Sequence, residues 1–428
     1  MPSPDPAAKP DPRPGEPRPA GAGAGARSAA PQPSRVRLAP LSELRMTLSD
    51  LFVGRDFEID AIIVSLISGE PSILVGPPGT AKTAMVEALA KLVNARYFYY
   101  LLTRFTEPDE LLGPLDIRAL REGRYARVTA GRLPEAEIAF LDEVFKASSA
   151  IRNALLDIIL HRRFLNDGAY TKLPLLTLYT ASNEVSADAE DQAFYDRLTI
   201  RCFVKYVEAP LWEELLVKGV RLAAESVDTA PILTVEQVKE YKKAVDARAS
   251  EILADPDLRA KIVGALAELR NRGVELGDRR KVKLVIVAAA YSVLNAESKP
   301  TVNSLADALE VVAAHTEEDR RKVEEVVIAQ KLRTYNVMKL AALREELKRV
   351  YEEVKSRGDD ISALDRDIEL LRRLYITAAG ELESLLKHRH GGRVPREARE
   401  LYAVAAEVGR FLEERLRALS ARRLPDAA

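Results

Sequence analysis

The segment GPPGTAKT, Gly76–Thr83, carries the residue pattern with the clearest chemical meaning in the chain. It nearly matches the phosphate-binding pattern G-x-x-x-x-G-K-[ST], with Ala81 in place of the second glycine. Backbone N–H groups at the start of a helix bind anionic oxygens, so a loop of this kind can hold phosphates. Because Ala81 falls where the helix begins, we expect an ordinary negative φ there and a loop that tolerates the alanine.

The last residues of this loop have separate predicted roles. Lys82 is expected to reach the β- and γ-phosphates of ATP, and the Thr83 hydroxyl is expected to bind Mg²⁺. Ordinary turns rich in glycine and proline give similar matches, so the prediction depends on further residues. The predicted nucleotide-binding residues are Val53, Gly54, Gly76, Pro77, Pro78, Gly79, Thr80, Ala81, Lys82 and Thr83.

An acidic pair, Asp142 and Glu143, ends the apolar run IAFLDEV. Charges at a solvated strand end are the structural alternative. The functional interpretation assigns Asp142 to the Mg²⁺ shell and Glu143 to the water that attacks the γ-phosphate. At the end of the run LLTLYTASN, Asn183 can accept from that water and donate to the phosphate, although a turn-forming asparagine is the alternative.

Three arginines are further candidates for the nucleotide site. Arg197 precedes the last apolar run, and such an arginine often reaches the phosphate of a neighbouring molecule; Arg201 is a weaker candidate for the same role. Gly277 and Asp278 are typical of a turn and helix cap, which would project Arg279 from the first helical turn. Each of these arginines could instead be a plain surface charge.

Short apolar runs that alternate with amphipathic helices must position these residues. Five runs, at 72–76, 96–105, 138–144, 175–183 and 200–207, read as buried strands. Helical connections between them predict an α/β fold with a five-stranded parallel sheet. Two hairpins are also predicted, one around Glu122–Gly123 and one around Asn166–Gly168.

Helical patterns follow this α/β unit. We predict a Pro/Ala/Gly-rich disordered tail over 1–36, the nucleotide-binding core with its two hairpins over 37–228, a helical lid over 229–316 and a helical bundle over 317–428. The bundle prediction rests on apolar residues at coiled-coil spacing from residue 337 to 419, interrupted by a turn at 355–360.

Composition limits the classes of function. The 428 residues contain 64 Lys plus Arg and 65 Asp plus Glu, so no net field recruits nucleic acid. The single cysteine, Cys202, lies in an apolar run and is expected to be a buried side chain. No run has the character of a signal peptide or a membrane span, which predicts a cytoplasmic protein.

From about residue 41 to 316 the chain resembles MoxR-family AAA+ ATPases, and most of all the RavA branch. The resemblance rests on GPPGTAKT, EPDELLGPLDIRAL, GRYARVTAGRLPEAEIAFLDEVFKA, TASNE, YDRL and GDRRKVKL. It implies a P-loop AAA+ core, a homo-hexameric ring with ATP between subunits, Arg197 acting on the neighbour's ATP, and Arg279 sensing nucleotide from the lid. Alanine at position 81 is usual in that family. Partners with von Willebrand A-type (vWA) domains and a chaperone-like role are implied in the same way.

Two other functions are considered beside a remodelling ATPase. A nucleotide-gated scaffold would bind ATP to assemble but turn little of it over, and the presence of Glu143 and Arg197 argues against it. A motor that acts on nucleic acid is disfavoured by the balanced charge. RavA proteins also carry a β-rich inserted domain that is missing from this sequence, which weakens any expectation of a partner that binds such an insert.

Overall fold

The computed structural model describes residues 39–186, 188–224, 230–333, 337–356, 361–387 and 396–422. The tail predicted over 1–36 and most of the turn predicted at 355–360 lie outside this description. The helices are α1 (Ala39–Leu51), α2 (Asp56–Ser68), α3 (Lys82–Leu92), α4 (Pro108–Leu112), α5 (Ile117–Arg121), α6 (Ser149–His161), α7 (Ala189–Tyr195), α8 (Trp212–Ala224), α9 (Val235–Ala254), α10 (Pro256–Asn271), α11 (Asp278–Leu294), α12 (Val302–Val312), α13 (Glu317–Ala329), α14 (Val337–Ser356), α15 (Ile361–Lys387) and α16 (Arg396–Arg422).

A parallel sheet of five strands forms the centre of the α/β unit. Its strands are β1 (Ser72–Val75), β2 (Tyr97–Leu101), β3 (Ile138–Asp142), β6 (Thr177–Ser182) and β7 (Ile200–Phe203). They lie side by side in the order β2-β3-β6-β1-β7, and every neighbouring pair is parallel. Strands β1, β6 and β7 are buried along their whole length, as helices on both faces of a parallel sheet require. The predicted α/β class with a five-stranded parallel sheet is confirmed.

All five strands end earlier than the apolar runs that predict them, and β2 and β7 each end four residues earlier. Strand β2 stops at Leu101 because the chain then turns, closed by a bond of 3.2 Å from Thr106 N to Thr103 O. Strand β3 stops at Asp142 because Glu143 adopts a left-handed conformation with φ of 56°. The carboxyl ends of β1, β3 and β6 therefore meet at one edge of the sheet, where open α/β sheets bind their ligands. We call this the phosphate edge.

The second predicted hairpin is present. Strands β4 (Arg163–Asn166) and β5 (Ala169–Lys172) pair antiparallel. Asp167 and Gly168 join them with φ values of 51° and 75°, which suits a two-residue turn whose twist matches that of the strands. This hairpin therefore forms as its Asn-Asp-Gly sequence predicts.

The first predicted hairpin, around Glu122–Gly123, is wrong. The Asp116 side chain accepts bonds from the backbone N–H groups of Arg118 and Ala119 and so starts helix α5. Residues in a capped helical turn cannot take the extended, alternating backbone that a hairpin strand needs. One antiparallel bridge, between Leu115 and Arg127, joins the two flanks of this segment.

The lid packs on the α/β unit through a shared core. Helices α9 and α11 lie against α2, which is buried along most of its length. Side-chain caps start three of the lid helices: Thr234 caps α9, Asp255 caps α10 and Thr301 caps α12. Helix α13 contributes to the same core, which continues to Leu332. Because α13 has only a few apolar residues among its charges, the sequence pattern ended the lid at residue 316; we propose the boundary after Leu332.

Helices α14, α15 and α16 pack on one another around a separate core. Its buried side chains are those of Leu340, Leu343, Leu347, Val350, Tyr351, Val354, Leu371, Ala378, Leu382, Ala398, Leu401, Ala405, Val408 and Leu412. Among the described residues, the buried side chains of these three helices form a cluster separate from that of the lid. Within the ranges that the structure describes, no helix is long and apolar enough to cross a membrane.

Candidate active site

The loop between β1 and α3 is held against the sheet at Gly76. The Gly76 N–H donates to Ser182 O at 3.0 Å. A Cβ atom at Gly76 would lie 2.1 Å from the backbone oxygen of Val204, so only glycine fits. Gly79 has a φ of 77°, which glycine adopts without strain. Both glycines of the loop are therefore needed for its shape.

Ala81 does not take the negative φ that the sequence analysis expects. Its φ is 64° and its ψ is 21°, so that prediction is wrong. The Ala81 carbonyl accepts the first helical bond, from Met85 N at 3.0 Å, which makes Ala81 the cap of α3. A non-glycine residue in this conformation costs about 1–2 kcal/mol. Alanine is present at the position despite that strain, and strain of this kind clusters at functional sites.

The Lys82 side chain points into the loop and is almost fully buried. Its Nζ donates to Gly76 O at 2.7 Å and to Pro77 O at 2.9 Å. Burial lowers the pKa of Lys82, while the carboxylates of Asp142 and Glu143 oppose that shift. The ammonium group therefore lies at the phosphate edge, held by carbonyl oxygens that a phosphate could replace.

The structure brings Thr83 and Asp142 together across the phosphate edge. Thr83 Oγ1 lies 3.4 Å from Asp142 Oδ2, and the Glu143 N–H donates to Asp142 Oδ1 at 2.9 Å. A hydroxyl and a carboxylate are hard oxygen ligands of the kind that Mg²⁺ takes together with water and substrate phosphates. The residues present therefore fit the predicted Mg²⁺ site.

Glu143 is held by two neighbours. Asn183 Nδ2 donates to Glu143 Oε1 at 2.5 Å, and Lys146 Nζ lies 3.4 Å from the same oxygen. The left-handed backbone at Glu143 turns the chain away from β3 just after Asp142. The predicted acid and the predicted amide thus contact each other directly. Lys146 was missed by the sequence analysis, although its position three residues after Glu143 is a signal that could have found it.

Val53 and Gly54 lie against the chain that follows β7. A Cβ atom at Gly54 would lie 3.0 Å from Leu211 Cδ1 and 3.6 Å from Val207 Cγ1. Val53 is buried, and Gly54 has a φ of 69°. These apolar groups and exposed backbone can face the flat surface of a base.

Arg197 and Arg201 have different environments. The Arg197 guanidinium donates to the backbone oxygen of Ala193. Arg201 is only 1% exposed and donates through Nη2 to Tyr195 O at 2.8 Å. A buried guanidinium cannot reach a neighbouring molecule, so the weaker prediction that Arg201 could replace Arg197 in that role is wrong.

Arg279 is exposed in the first turn of α11, as predicted. Gly277 and not Asp278 occupies the cap position, and Asp278 pairs with Lys281 at 2.8 Å. Neither Arg197 nor Arg279 forms a hydrogen bond or ion pair with the loop or the acidic pair in the described part of the chain.

Two groups of polar contacts where the lid meets the core were also missed. Lys283 of α11 donates to Glu70 Oε1 at 2.7 Å, and Thr199 donates to Glu70 Oε2 at 3.0 Å. His315 contacts both Arg201 and Arg280. These partners are far apart in sequence, so no local pattern could have found them. We call the region formed by Glu70, Thr199, Arg201, Arg280, Lys283 and His315 the core–lid junction.

Taken together, the fold and the edge geometry define a class. A parallel sheet with a glycine loop after a central strand, a lysine in the loop and an acidic pair two strands away is the arrangement of P-loop nucleotide-binding domains.

Comparisons with known proteins specify the family. The family model described as "MoxR domain in the MoxR-vWA-beta-propeller ternary systems" matches residues 39–243. Two uncharacterized proteins of Methanocaldococcus jannaschii are 39% and 38% identical over 267 and 270 residues, which is 62% of this chain each time and 69% and 68% of the relatives. Chaperone MoxR1 of Mycobacterium tuberculosis is 28% identical over 124 residues, 29% of this chain and 32% of that protein.

A solved structure agrees in fold. A crystal structure described as that of a "putative ATPase" from Cytophaga hutchinsonii matches with a TM-score of 0.55 at 17% identity, covering 68% of this chain and 94% of that chain. At this identity the likeness concerns the fold alone. Over residues 39–243 the chain therefore belongs to the MoxR family of AAA+ ATPases.

Proposed function

We propose that this chain hydrolyses ATP with Mg²⁺ and uses the energy to remodel or mature protein partners. The observation that carries the proposal is the meeting of Lys82, the Thr83–Asp142 pair and the Glu143–Asn183 pair at one edge of the sheet. This meeting supports the proposal because phosphoryl transfer needs a cation for the phosphates, ligands for a metal ion and a group that orients the attacking water at one place.

Each residue has a defined role in this proposal. Lys82 leaves the loop carbonyls to bind the β- and γ-phosphates, while Thr83 and Asp142 hold Mg²⁺, which would neutralise charge on the phosphate oxygens. Glu143 orients and polarises the attacking water, and Asn183 keeps the Glu143 carboxylate in place. Val53 and Gly54 contact the base.

We propose further that subunits assemble as a ring, six-membered by family resemblance, with ATP between neighbours. Arg197 then acts on the neighbour's γ-phosphate, and Arg279 senses the subunit's own nucleotide from the lid. The exposed position of Arg279 supports the second role. Assignment to the RavA branch and a cytoplasmic location stay predictions.

A protein with a vWA domain is the partner that we propose, because the matching family model is described by systems that contain one. The bundle of α14–α16 is the proposed docking arm, since its core is separate from that of the lid. Two capture experiments test these ideas. Glu143→Gln protein with ATP bound should capture the vWA partner, and a chain that ends at Arg333 lacks the proposed docking arm. We expect the truncated chain to keep ATP hydrolysis and lose the partner; loss of hydrolysis would mean that the bundle serves the ring.

Steady-state ATP hydrolysis, measured with and without DNA, tests the function itself. We expect turnover that DNA does not change. Binding without turnover would favour a nucleotide-gated scaffold, and stimulation by DNA would favour a nucleic-acid motor. Lys82→Ala should weaken ATP binding, whereas Lys91→Ala, an exposed lysine paired with Glu87 on the same helix, should not.

A further inference from the structure

A histidine at the core–lid junction lies between two buried arginines. His315 is in the connection between α12 and α13, Arg201 is on β7, and Arg280 is in the first turn of α11. Arg201 Nη1 is 2.8 Å from His315 Nδ1, and Arg280 Nη1 is 2.8 Å from His315 Nε2. Arg201 is 1% exposed and Arg280 is fully buried.

The chemistry of these side chains does not allow both contacts to be hydrogen bonds at once. A guanidinium only donates, and a neutral imidazole accepts at one nitrogen and donates at the other. One contact is therefore a hydrogen bond, while the other places two donor groups next to each other without an acceptor. A protonated imidazole would accept from neither arginine. His315 thus has two alternative arrangements, one that satisfies Arg201 and one that satisfies Arg280.

Arg201 fixes the turn that carries Arg197. Its Nη2 donates to Tyr195 O at 2.8 Å and its Nε donates to Leu198 O at 3.3 Å. The two bonded residues lie on either side of Arg197 in the sequence. The guanidinium also lies 3.7 Å from the centre of the Tyr195 ring. Tyr195 in turn donates through its hydroxyl to His315 O at 2.9 Å. The position of the Arg197 turn therefore depends on this cluster.

Arg280 links the start of α11 to His315. It follows Arg279 directly, and in the described part of the chain its Nε and Nη2 have no hydrogen-bond partner, which leaves His315 to supply an acceptor. The start of α11 also lies close to the Arg197 turn, since a Cβ atom at Gly277 would be 3.8 Å from Asp196 Oδ1.

We propose that His315 is a positioning residue that couples Arg197 to Arg279. The inference rests on the proposed function, in which Arg279 senses the subunit's own nucleotide and Arg197 acts on the neighbour's. An imidazole that bonds to Arg201 holds the Arg197 turn, and one that bonds to Arg280 holds the start of α11. Two adjacent nucleotide sites are thereby linked through one side chain.

The test is a mutant cycle on the full-length chain. The kcat of ATP hydrolysis is measured with and without Arg197→Ala, in the wild-type and His315→Ala backgrounds. In the wild-type background we expect Arg197→Ala to lower kcat by about 10³. In the His315→Ala background the same change should cost less than about tenfold, because the turn is already displaced and the two effects do not add.

His315→Gln provides the rescue, since its amide also offers one acceptor and one donor group. In the His315→Gln background, Arg197→Ala should again lower kcat by the full amount. His161→Ala, at an exposed histidine of α6, is the control and should leave the effect of Arg197→Ala on kcat unchanged. If His315→Ala does not fold, His315→Leu keeps the volume and removes the acceptor. Equal costs in all backgrounds would overturn the proposal. If Arg197→Ala costs nothing in the wild-type background, the proposed role of Arg197 fails instead.

Discussion

The phosphate edge and the core–lid junction are both polar, but they are built in different ways. At the phosphate edge, Ala81 and Glu143 take left-handed backbone conformations, and Thr83 and Asn183 remain open to solvent. At the junction, Glu70, Arg201 and Arg280 are buried, and they contact side chains on elements that are distant in the sequence. Strained and accessible groups are typical of sites that act on a ligand. Buried charged pairs instead make the loss of either partner costly.

This difference predicts two kinds of variant. Substitutions at the phosphate edge should change turnover while the free energy of unfolding stays nearly constant. Substitutions at the junction should change the free energy of unfolding first, and turnover only through the arginines that the junction positions.

The largest effect is expected for Glu143→Gln. The amide keeps the shape of the side chain but cannot act on the attacking water, so kcat should fall by roughly 10²–10⁴. The midpoint of thermal unfolding should stay constant, as should the affinity for ATP measured by calorimetry. Glu122→Gln, at an exposed glutamate, is the control. Normal ATP hydrolysis by Glu143→Gln protein would show that Glu143 does not act on the attacking water.

The next effect is expected for Lys283→Met at the junction. The change leaves the Glu70 carboxylate buried without its ion pair, which should cost about 2 kcal/mol, less than a fully buried pair because Lys283 is one-third exposed. Lys281→Met, whose partner Asp278 is exposed, is the matched control. Urea unfolding measures the cost. A loss of ATP turnover with an unchanged free energy of unfolding would contradict the difference between the junction and the phosphate edge.

A pH dependence should follow from His315. Burial, with the two arginines adding to it, lowers the pKa of His315 from its ordinary value of 6.5 to about 4. Between these values the unfolded chain binds the proton and the folded chain does not, so this stabilising contribution is complete above pH 6.5 and is lost as pH falls towards 4.

Other groups titrate in the same range, so the wild type is compared with His315→Gln. The charged groups that face His315 are Arg201, Arg280 and Asp319, and all three are retained in the variant. We expect the wild type to lose on the order of 1–2 kcal/mol more than the variant between pH 7 and pH 5 in urea unfolding. Parallel curves would show that His315 is not buried in its neutral form.

The smallest effect is expected for Ala81→Gly. Glycine removes the strain of the left-handed conformation but loses more chain entropy on folding, so the net gain in stability should be below about 1 kcal/mol. Asn94→Gly, at another residue with positive φ outside the phosphate edge, is the control. A loss of stability would mean that the Ala81 methyl group packs favourably in the loop.

Sequence predicts the phosphate edge well because its residues occur at fixed distances from strands that can be recognised. The five strands and the loop from Gly76 to Thr83 follow from local patterns. The conformation of Ala81 does not, since nothing local distinguishes a helix start with negative φ from one with positive φ. Helix α5 replaced a predicted hairpin because Asp116 is both a turn residue and a helix cap.

The junction could not be predicted in the same way. His315 and Arg201 are separated by more than a hundred residues in the chain, and their contact depends on how the lid packs on β7. Helix α13 joins the lid core through three valines, too few to distinguish it from the start of the bundle. Tertiary packing determined both features.

The central claim is that each active site is completed by a neighbouring subunit, and mixing two inactive variants tests it most directly. Lys82→Ala lacks the phosphate-binding lysine but retains Arg197, whereas Arg197→Ala retains an intact loop. Each protein alone should hydrolyse ATP at a background rate. After subunit exchange, shown by mass measurement of mixed assemblies, we predict that part of the wild-type rate returns. A background rate in assemblies that demonstrably contain both variants would contradict the claim.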